Sequence, residues 1–283
     1  MNPGEFWFDS ADGLRLYSRV YATVRAQHTV LCLHGLTRNS RDFEDLAPHL
    51  AQRYRVIAPD LRGRGRSARD PNPKNYQLTV YGQDVLTLLN ALGASRVAVL
   101  GTSLGGMMAM GLAATQPGLV SGIILNDVGP EFDPAGVERI KGYAGRLSPV
   151  RSWPEAVAQA QLVYGAAWPG LDAARWEVIT RRGYRADANG VPQAEADPMI
   201  GEALRAAPTA APNLWPLWAA LKSTPALAIR GALSDLLSAA TLERMQREKP
   251  DLRTLTVVNR GHVPLLDEPE CLAAIDEFLA SLT

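Results

Sequence analysis

Short runs of apolar and β-branched residues recur along the chain: EFWF at Glu5, LRLYSRVYA from Leu14, TVLCLHG from Thr29, YRVIAPDL from Tyr54, RVAVLGTS from Arg96, VSGIILND from Val120, PALAIRG from Pro225 and LRTLTVV from Leu252. The middle and late runs are continuously apolar rather than alternating, which is the pattern of parallel strands covered on both faces. Between them the apolar spacing changes to the helical period. Phe43, Leu46, Ala47 and Leu50 form one stripe, and Tyr81, Val85, Leu88, Leu89 and Leu92 form another. Leu242 and Met245 form a shorter one, and Pro269 stands at a first helical turn ahead of Leu272, Ile275, Leu279 and Leu282. This alternation predicts an α/β architecture: a doubly wound, mostly parallel sheet of about eight strands.

The alternation stops between residues 129 and 216. That segment is rich in Ala, Pro, Arg and Trp and shows no strand pattern. It holds Trp153, Trp168, Trp176, Trp215 and Trp218, five of the six tryptophans. Its apolar spacing predicts helices near 134–147, 153–165, 172–183 and 213–222. The expected organisation is a core of residues 1–128 and 217–283, with 129–216 inserted as a helical cap over the C-terminal edge of the sheet.

Composition narrows the possible partners. The 283 residues carry 29 Lys plus Arg against 29 Asp plus Glu, so no general field draws the chain to nucleic acid or to an anionic membrane. The N-terminus MNPGEFWFDS has no basic region followed by an apolar one, and no apolar run approaches the roughly 18 residues of a membrane span. A cytoplasmic location is expected. Cys32 lies in a strand pattern and Cys271 in a helix pattern, so both are expected in the core rather than in a disulfide framework or a zinc site. No His-x-x-x-His, Cys-x-x-Cys or carboxylate cluster suggests a metal, and no cofactor is expected.

The chemistry starts at VAVLGTSLGGMMAM. A strand runs into Gly101-Thr102-Ser103-Leu104-Gly105 and then into a helix, the G-x-S-x-G nucleophile elbow. In so tight a turn the flanking glycines avoid Cβ collisions and the serine hydroxyl is presented rather than buried. A serine needs a base. His28 and His49 read as surface residues, and His34 ends a strand ahead of Ser103, leaving His262 in NRGHVPLLDEPE as the base. A carboxylate must hold the imidazole tautomer. Asp235, in the loop after PALAIRG, is the expected acid; Asp127, after VSGIILN, is the topological alternative, otherwise a cap-anchoring residue. The backbone N–H groups of Leu104 and Leu36 are the expected oxyanion donors, with His34 supporting the turn at Leu36.

Through LHGLTRNSRDFEDLAPHL, YRVIAPDLRGRGRS, LGTSLGGMMAM, LNDVGP, RGALSDLLS and GHVPLLDEPE, the sequence resembles the α/β-hydrolase superfamily with a helical cap over almost its whole length. The resemblance implies Ser103, Asp235 and His262 as the triad, Leu36 and Leu104 as the oxyanion hole, and a cap that determines the substrate. The expected activity is cleavage of small to medium carboxylic esters through an acyl-enzyme. The rivals are a lactonase, a C–C bond hydrolase of aromatic-degradation products, a perhydrolase and a low-turnover ligand sensor. A serine at the elbow argues against the epoxide hydrolase and dehalogenase chemistries that the family runs with Asp there.

Two further patterns carry less. Gly63-Arg64-Gly65-Arg66-Ser67-Ala68 fits a dinucleotide fingerprint with Asp84 beyond it, but Pro71 and Pro73 forbid the helix that would receive a pyrophosphate. Arg181, Arg182 and Arg185 read as solvated helix surface. The cap tryptophans pack the cap on itself or, where they line the cleft, favour an apolar substrate group.

Overall fold

The structure is a computed structural model that describes every residue except 1, 23–25, 27, 208–212 and 283. Residues 208–212 of the expected cap therefore lie outside the described residues. The sheet strands are β1 (Gly4–Asp9), β2 (Arg15–Tyr21), β3 (Thr29–Leu33), β4 (Arg55–Asp60), β5 (Val97–Thr102) and β6 (Val120–Asn126). After the insertion come β9 (Ala226–Gly231) and β10 (Arg253–Val257). They form an eight-stranded sheet in the order β1-β2-β4-β3-β5-β6-β9-β10. The β1–β2 and β2–β4 pairings are antiparallel and the others parallel.

The continuously apolar runs are explained by burial on both faces. Leu31 and Leu33 of β3, Val97 and Val99 of β5 and Ile123 and Leu125 of β6 face one core cluster, with residues of α2 (Leu78–Ala91), α3 (Leu104–Thr115) and α9 (Ala239–Glu248). The intervening Val30, Cys32, Ala98, Leu100 and Ile124 face the other, with α1 (Leu46–Leu50) and α10 (Pro269–Ala280). Cys32 and Cys271 are free, fully buried members of that second cluster.

Between β6 and β9 the chain forms α4 (Pro134–Tyr143), α5 (Trp153–Tyr164), α6 (Ala173–Gly183), the hairpin β7 (Tyr184–Ala186) to β8 (Pro192–Ala194), α7 (Met199–Ala206) and α8 (Trp215–Ala220). The hairpin and α7 are absent from the sequence expectation. Three-residue strands are too short to show a period of two, and α7 shows only two to three turns. Trp218 of α8 is 1% exposed and joins the core cluster that includes α3.

The insertion rests on loops that leave the C-terminal ends of sheet strands. Asn39 Nδ2 donates to Arg182 O at 2.8 Å after β3, Asp197 N–H to Gly63 O at 2.8 Å after β4, and Gly261 N–H to Ala167 O at 2.7 Å after β10. Arg182 differs from expectation. It is 5% exposed and joins Asp45 at 2.7 Å and Glu44 at 3.5 Å, so it fastens α6 to the loop after β3, whereas Arg181 pairs with Glu177 on the outer face of α6. The glycine-rich loop after β4 leads to a short 3-10 turn at Pro73–Asn75, and α2 begins only at Leu78. Asp84 is engaged by buried Arg62 at 2.7 Å.

Candidate active site

Ser103 joins β5 to α3 at φ +52°, ψ −112°, in a sparsely populated region that the surrounding structure must hold in place. The neighbouring glycines are required by contact distance. A Cβ on Gly101 would lie 2.2 Å from Gly105 O, and one on Gly105 would lie 2.1 Å from Leu33 O. The β5–β6 register pairs Thr102 with Asn126, so Ser103 and Asp127 leave adjacent strand ends at the same level.

His262 Nε2 lies 3.0 Å from Ser103 Oγ, and His262 Nδ1 lies 2.8 Å from Asp127 Oδ2. The carboxylate fixes the proton on Nδ1 and leaves the Nε2 lone pair facing the serine O–H. Asp127, not Asp235, is thus the acid that reaches the histidine. It is fully buried, with φ +56°, a left-handed conformation that Asp tolerates better than most residues. Gly231 N–H donates to its Oδ1 at 2.7 Å, and Ser234 O–H and His262 converge on its Oδ2, the former at 2.5 Å.

Asp235 lies beyond the tight turn in which Ser234 N–H donates to Gly231 O at 2.9 Å. There Arg139 of α4 takes it, with Nε at 2.5 Å and Nη2 at 2.8 Å, and those hydrogen bonds hold its carboxyl below the usual range. The expectation followed the position after the later strand. The strand register favours the earlier one, because β6 and β9 are neighbours and Asp127 lies at the end of β6 against Gly231.

The turn after β3 packs on the elbow: a Cβ on Gly35 would lie 3.9 Å from Ser103 Cβ. His34 is fully buried, with Nδ1 2.8 Å from Gly35 O and Nε2 3.1 Å from Leu61 N. Since Leu61 N–H can only donate, Nε2 accepts and Nδ1 carries the proton toward Gly35 O. Burial pushes its pKa down to about 4, and Arg64 acts in the same direction, so the ring is neutral. Gly35 C=O shares a planar peptide with Leu36 N–H, so holding the carbonyl inward aims the N–H the opposite way. Leu104 N–H opens α3 and, as a first-turn amide, has no carbonyl within its own helix.

Sequence reasoning did not reach Ser234, which supports Asp127, or the role of Trp168, whose Nε1–H donates to Val263 O at 2.6 Å beside His262. A serine three residues past the end of β9 and a tryptophan of the insertion have no local signature. A small cleft with an internal volume of about 80 Å³ opens between the insertion and the turn after β3, lined by Thr37, Arg38, Tyr143, Leu147, Val163 and Tyr164. Among the described residues no cluster of His, Cys, Asp and Glu could hold a metal ion, and no helix is long and apolar enough to cross a membrane.

Comparison with known proteins agrees with this architecture. A family model described as the alpha/beta hydrolase fold matches residues 28–269. The crystal structure of an alpha/beta hydrolase from Novosphingobium aromaticivorans superposes with a TM-score of 0.93 at 41% identity, covering 99% of this chain and 98% of that one. The chain is 34% identical over 262 residues to 3-hydroxybutyrate-oligomer hydrolase of Cupriavidus necator, covering 88% of this chain and 87% of that protein. It is 27% identical over 251 residues to 2-(acetamidomethylene)succinate hydrolase of Mesorhizobium japonicum, with coverage of 88% and 87%. With an eight-stranded sheet, an elbow serine at the end of its fifth strand and a family match over most of its length, the chain belongs to the α/β-hydrolase family.

Proposed function

We propose that the protein is a serine hydrolase of small to medium carboxylic esters, working through an acyl-enzyme on Ser103. The observation that carries the reading is the unbroken hydrogen-bonded line from Ser103 Oγ through His262 to Asp127. His262 Nε2 takes the serine proton as Oγ attacks the ester carbonyl, and Asp127 stabilises the imidazolium that results. The carbonyl oxygen becomes an anion between the Leu36 and Leu104 N–H groups, an interaction worth several kcal/mol in other enzymes. His262 then protonates the leaving alcohol, and a water deacylates the serine by the same route.

The largely apolar cleft suits a short acyl or alkoxy group, and the similarity to a 3-hydroxybutyrate-oligomer hydrolase supports short hydroxyacid esters as candidates. A second reading, an ester that also bears a free carboxylate, is supported by Arg38 in the cleft wall, where Asp42 already engages its Nε and Nη2 and a substrate carboxylate would share that charge. The test is hydrolysis of p-nitrophenyl esters from acetate to dodecanoate, and of 3-hydroxybutyrate dimer and trimer as free acids and as methyl esters, by wild type and Ser103→Ala. Loss of about 10⁴-fold or more in the variant is expected. Equal, negligible rates in both proteins would overturn the esterase reading, and preference for the free acids would select the second one.

A further inference from the structure

Two arginines of the loop after β4 are buried, each 1% exposed, and they are treated in opposite ways. Arg62 meets three carboxylates, those of Asp12, Asp70 and Asp84. Arg64 makes no ion pair among the described residues. Its Nε–H donates to Leu36 O at 2.9 Å and its Nη1–H to Arg62 O at 2.7 Å. Its guanidinium lies 4.7 Å from the centroid of the Tyr81 ring and 5.7 Å from that of Tyr76. Nη2 is buried without a hydrogen-bond partner, and the Tyr81 hydroxyl is likewise without one.

A desolvated cation without a counter-ion is costly and survives where its field is used or where neighbours over-determine it. Two aromatic faces offset part of the cost. The carbonyl that Arg64 holds belongs to Leu36, the residue whose N–H is the expected oxyanion donor. His34 fixes the peptide on one side of Leu36 and Arg64 fixes the peptide on the other, so the donor cannot swing away. This charge, without an ion pair among the described residues, is bonded to the turn itself at Leu36 O, where it would favour a negative oxygen over a neutral carbonyl.

We propose that Arg64 is a positioning residue of the oxyanion site, orienting the Leu36 N–H and supplying through that turn a positive charge that stabilises the tetrahedral anion selectively. The inference rests on the serine-hydrolase reading above.

The test compares Arg64→Lys, which keeps the charge, with Arg64→Gln, which keeps a donor but no charge. Each is assayed for kcat and KM on a neutral ester and for inhibition by a trifluoromethyl ketone, which adds serine to form an oxyanion. The corresponding methyl ketone reports ground-state binding. The glutamine variant is expected to lose about 10²-fold in kcat with KM within about twofold, and to lose trifluoromethyl ketone affinity by a similar factor. Methyl ketone affinity should hold, and the lysine variant should recover about tenfold of the loss. Equal losses for both ketones, or a lysine variant no better than the glutamine one, would overturn the proposal. Should Arg64→Gln fail to fold, Arg64→Lys decides alone: any loss must appear in the trifluoromethyl ketone and not in the methyl ketone. If the wild type is not inhibited by the trifluoromethyl ketone and Ser103→Ala remains active, it is the serine-hydrolase reading that has failed.

Discussion

The assignment of the acid separates Asp127→Asn from Asp235→Asn. In the wild type, Asp127 Oδ2 accepts from His262 Nδ1 at 2.8 Å while Oδ1 accepts from Gly231 N–H at 2.7 Å. An asparagine that keeps its oxygen toward Gly231 turns its NH₂ toward His262, where two donors would meet. The imidazole escapes by moving its proton to Nε2, which then faces Ser103 as a donor and cannot accept the serine proton. The expected loss in kcat is about 10³–10⁴-fold, or roughly 4–5.5 kcal/mol of barrier. Stability should fall by about 1–3 kcal/mol, because Gly231 N–H keeps its acceptor while the Ser234 O–H, which donates to the same Oδ2 as His262, loses one. Asp127→Ala is the poorer probe, since it would leave buried donors of Gly231, Ser234 and His262 unpartnered at about 1–3 kcal/mol each.

Asp235→Asn removes a half-exposed ion pair with Arg139, whose side chains are 28% and 35% exposed, so solvent screening holds its worth to about 1 kcal/mol or less. Its kcat should stay within about fivefold of wild type. Steady-state hydrolysis of p-nitrophenyl acetate with thermal melts of the same samples measures both effects. A folded Asp127→Asn enzyme within about tenfold of wild type, beside an Asp235→Asn enzyme reduced about 10³-fold, would refute the assignment.

Trp168→Phe keeps a ring against Tyr164 and Trp176 but deletes the N–H bond to Val263 O; the base loop should loosen, lowering kcat about fivefold to tenfold, with no change in kcat counting against a clamp. Gly105→Ala drives a Cβ into Leu33 O and should cost roughly 3 kcal/mol in denaturant titrations, whereas Gly111→Ala on the same helix meets nothing within 4 Å and should gain about 0.5–1 kcal/mol. His34 has its pKa lowered from 6.5 to about 4, so the folded state resists protonation that the unfolded state accepts. The stability this confers is complete above about pH 6.5 and is lost as pH falls toward 4, by roughly 3 kcal/mol in all. Urea unfolding at several pH values should show this dependence shrinking in His34→Gln.

The local geometry of the site was legible in the sequence. Glycines at 101 and 105 around a strand-to-helix serine specify the elbow because the clash they avoid is with backbone only a few residues away or on the adjoining strand. The sheet was legible for a similar reason, since burial on both faces leaves continuous apolar runs. The histidine followed from its place after the last strand. What the tertiary structure alone decided is which charged groups meet. Asp127 and Asp235 both follow parallel strands and both precede His262, and their local sequences do not rank them. The choice depends on β6 and β9 lying side by side in a register that sets Asp127 against Gly231, and on an arginine from the inserted helix α4 engaging Asp235. Arg62, Arg64 and Arg182 make the same point: identical side chains in a sequence become an anchor among three carboxylates, a cation without an ion pair among the described residues and a fastener of α6 according to which distant carboxylates the fold brings within reach, because Coulomb energy depends on separation in space and not along the chain.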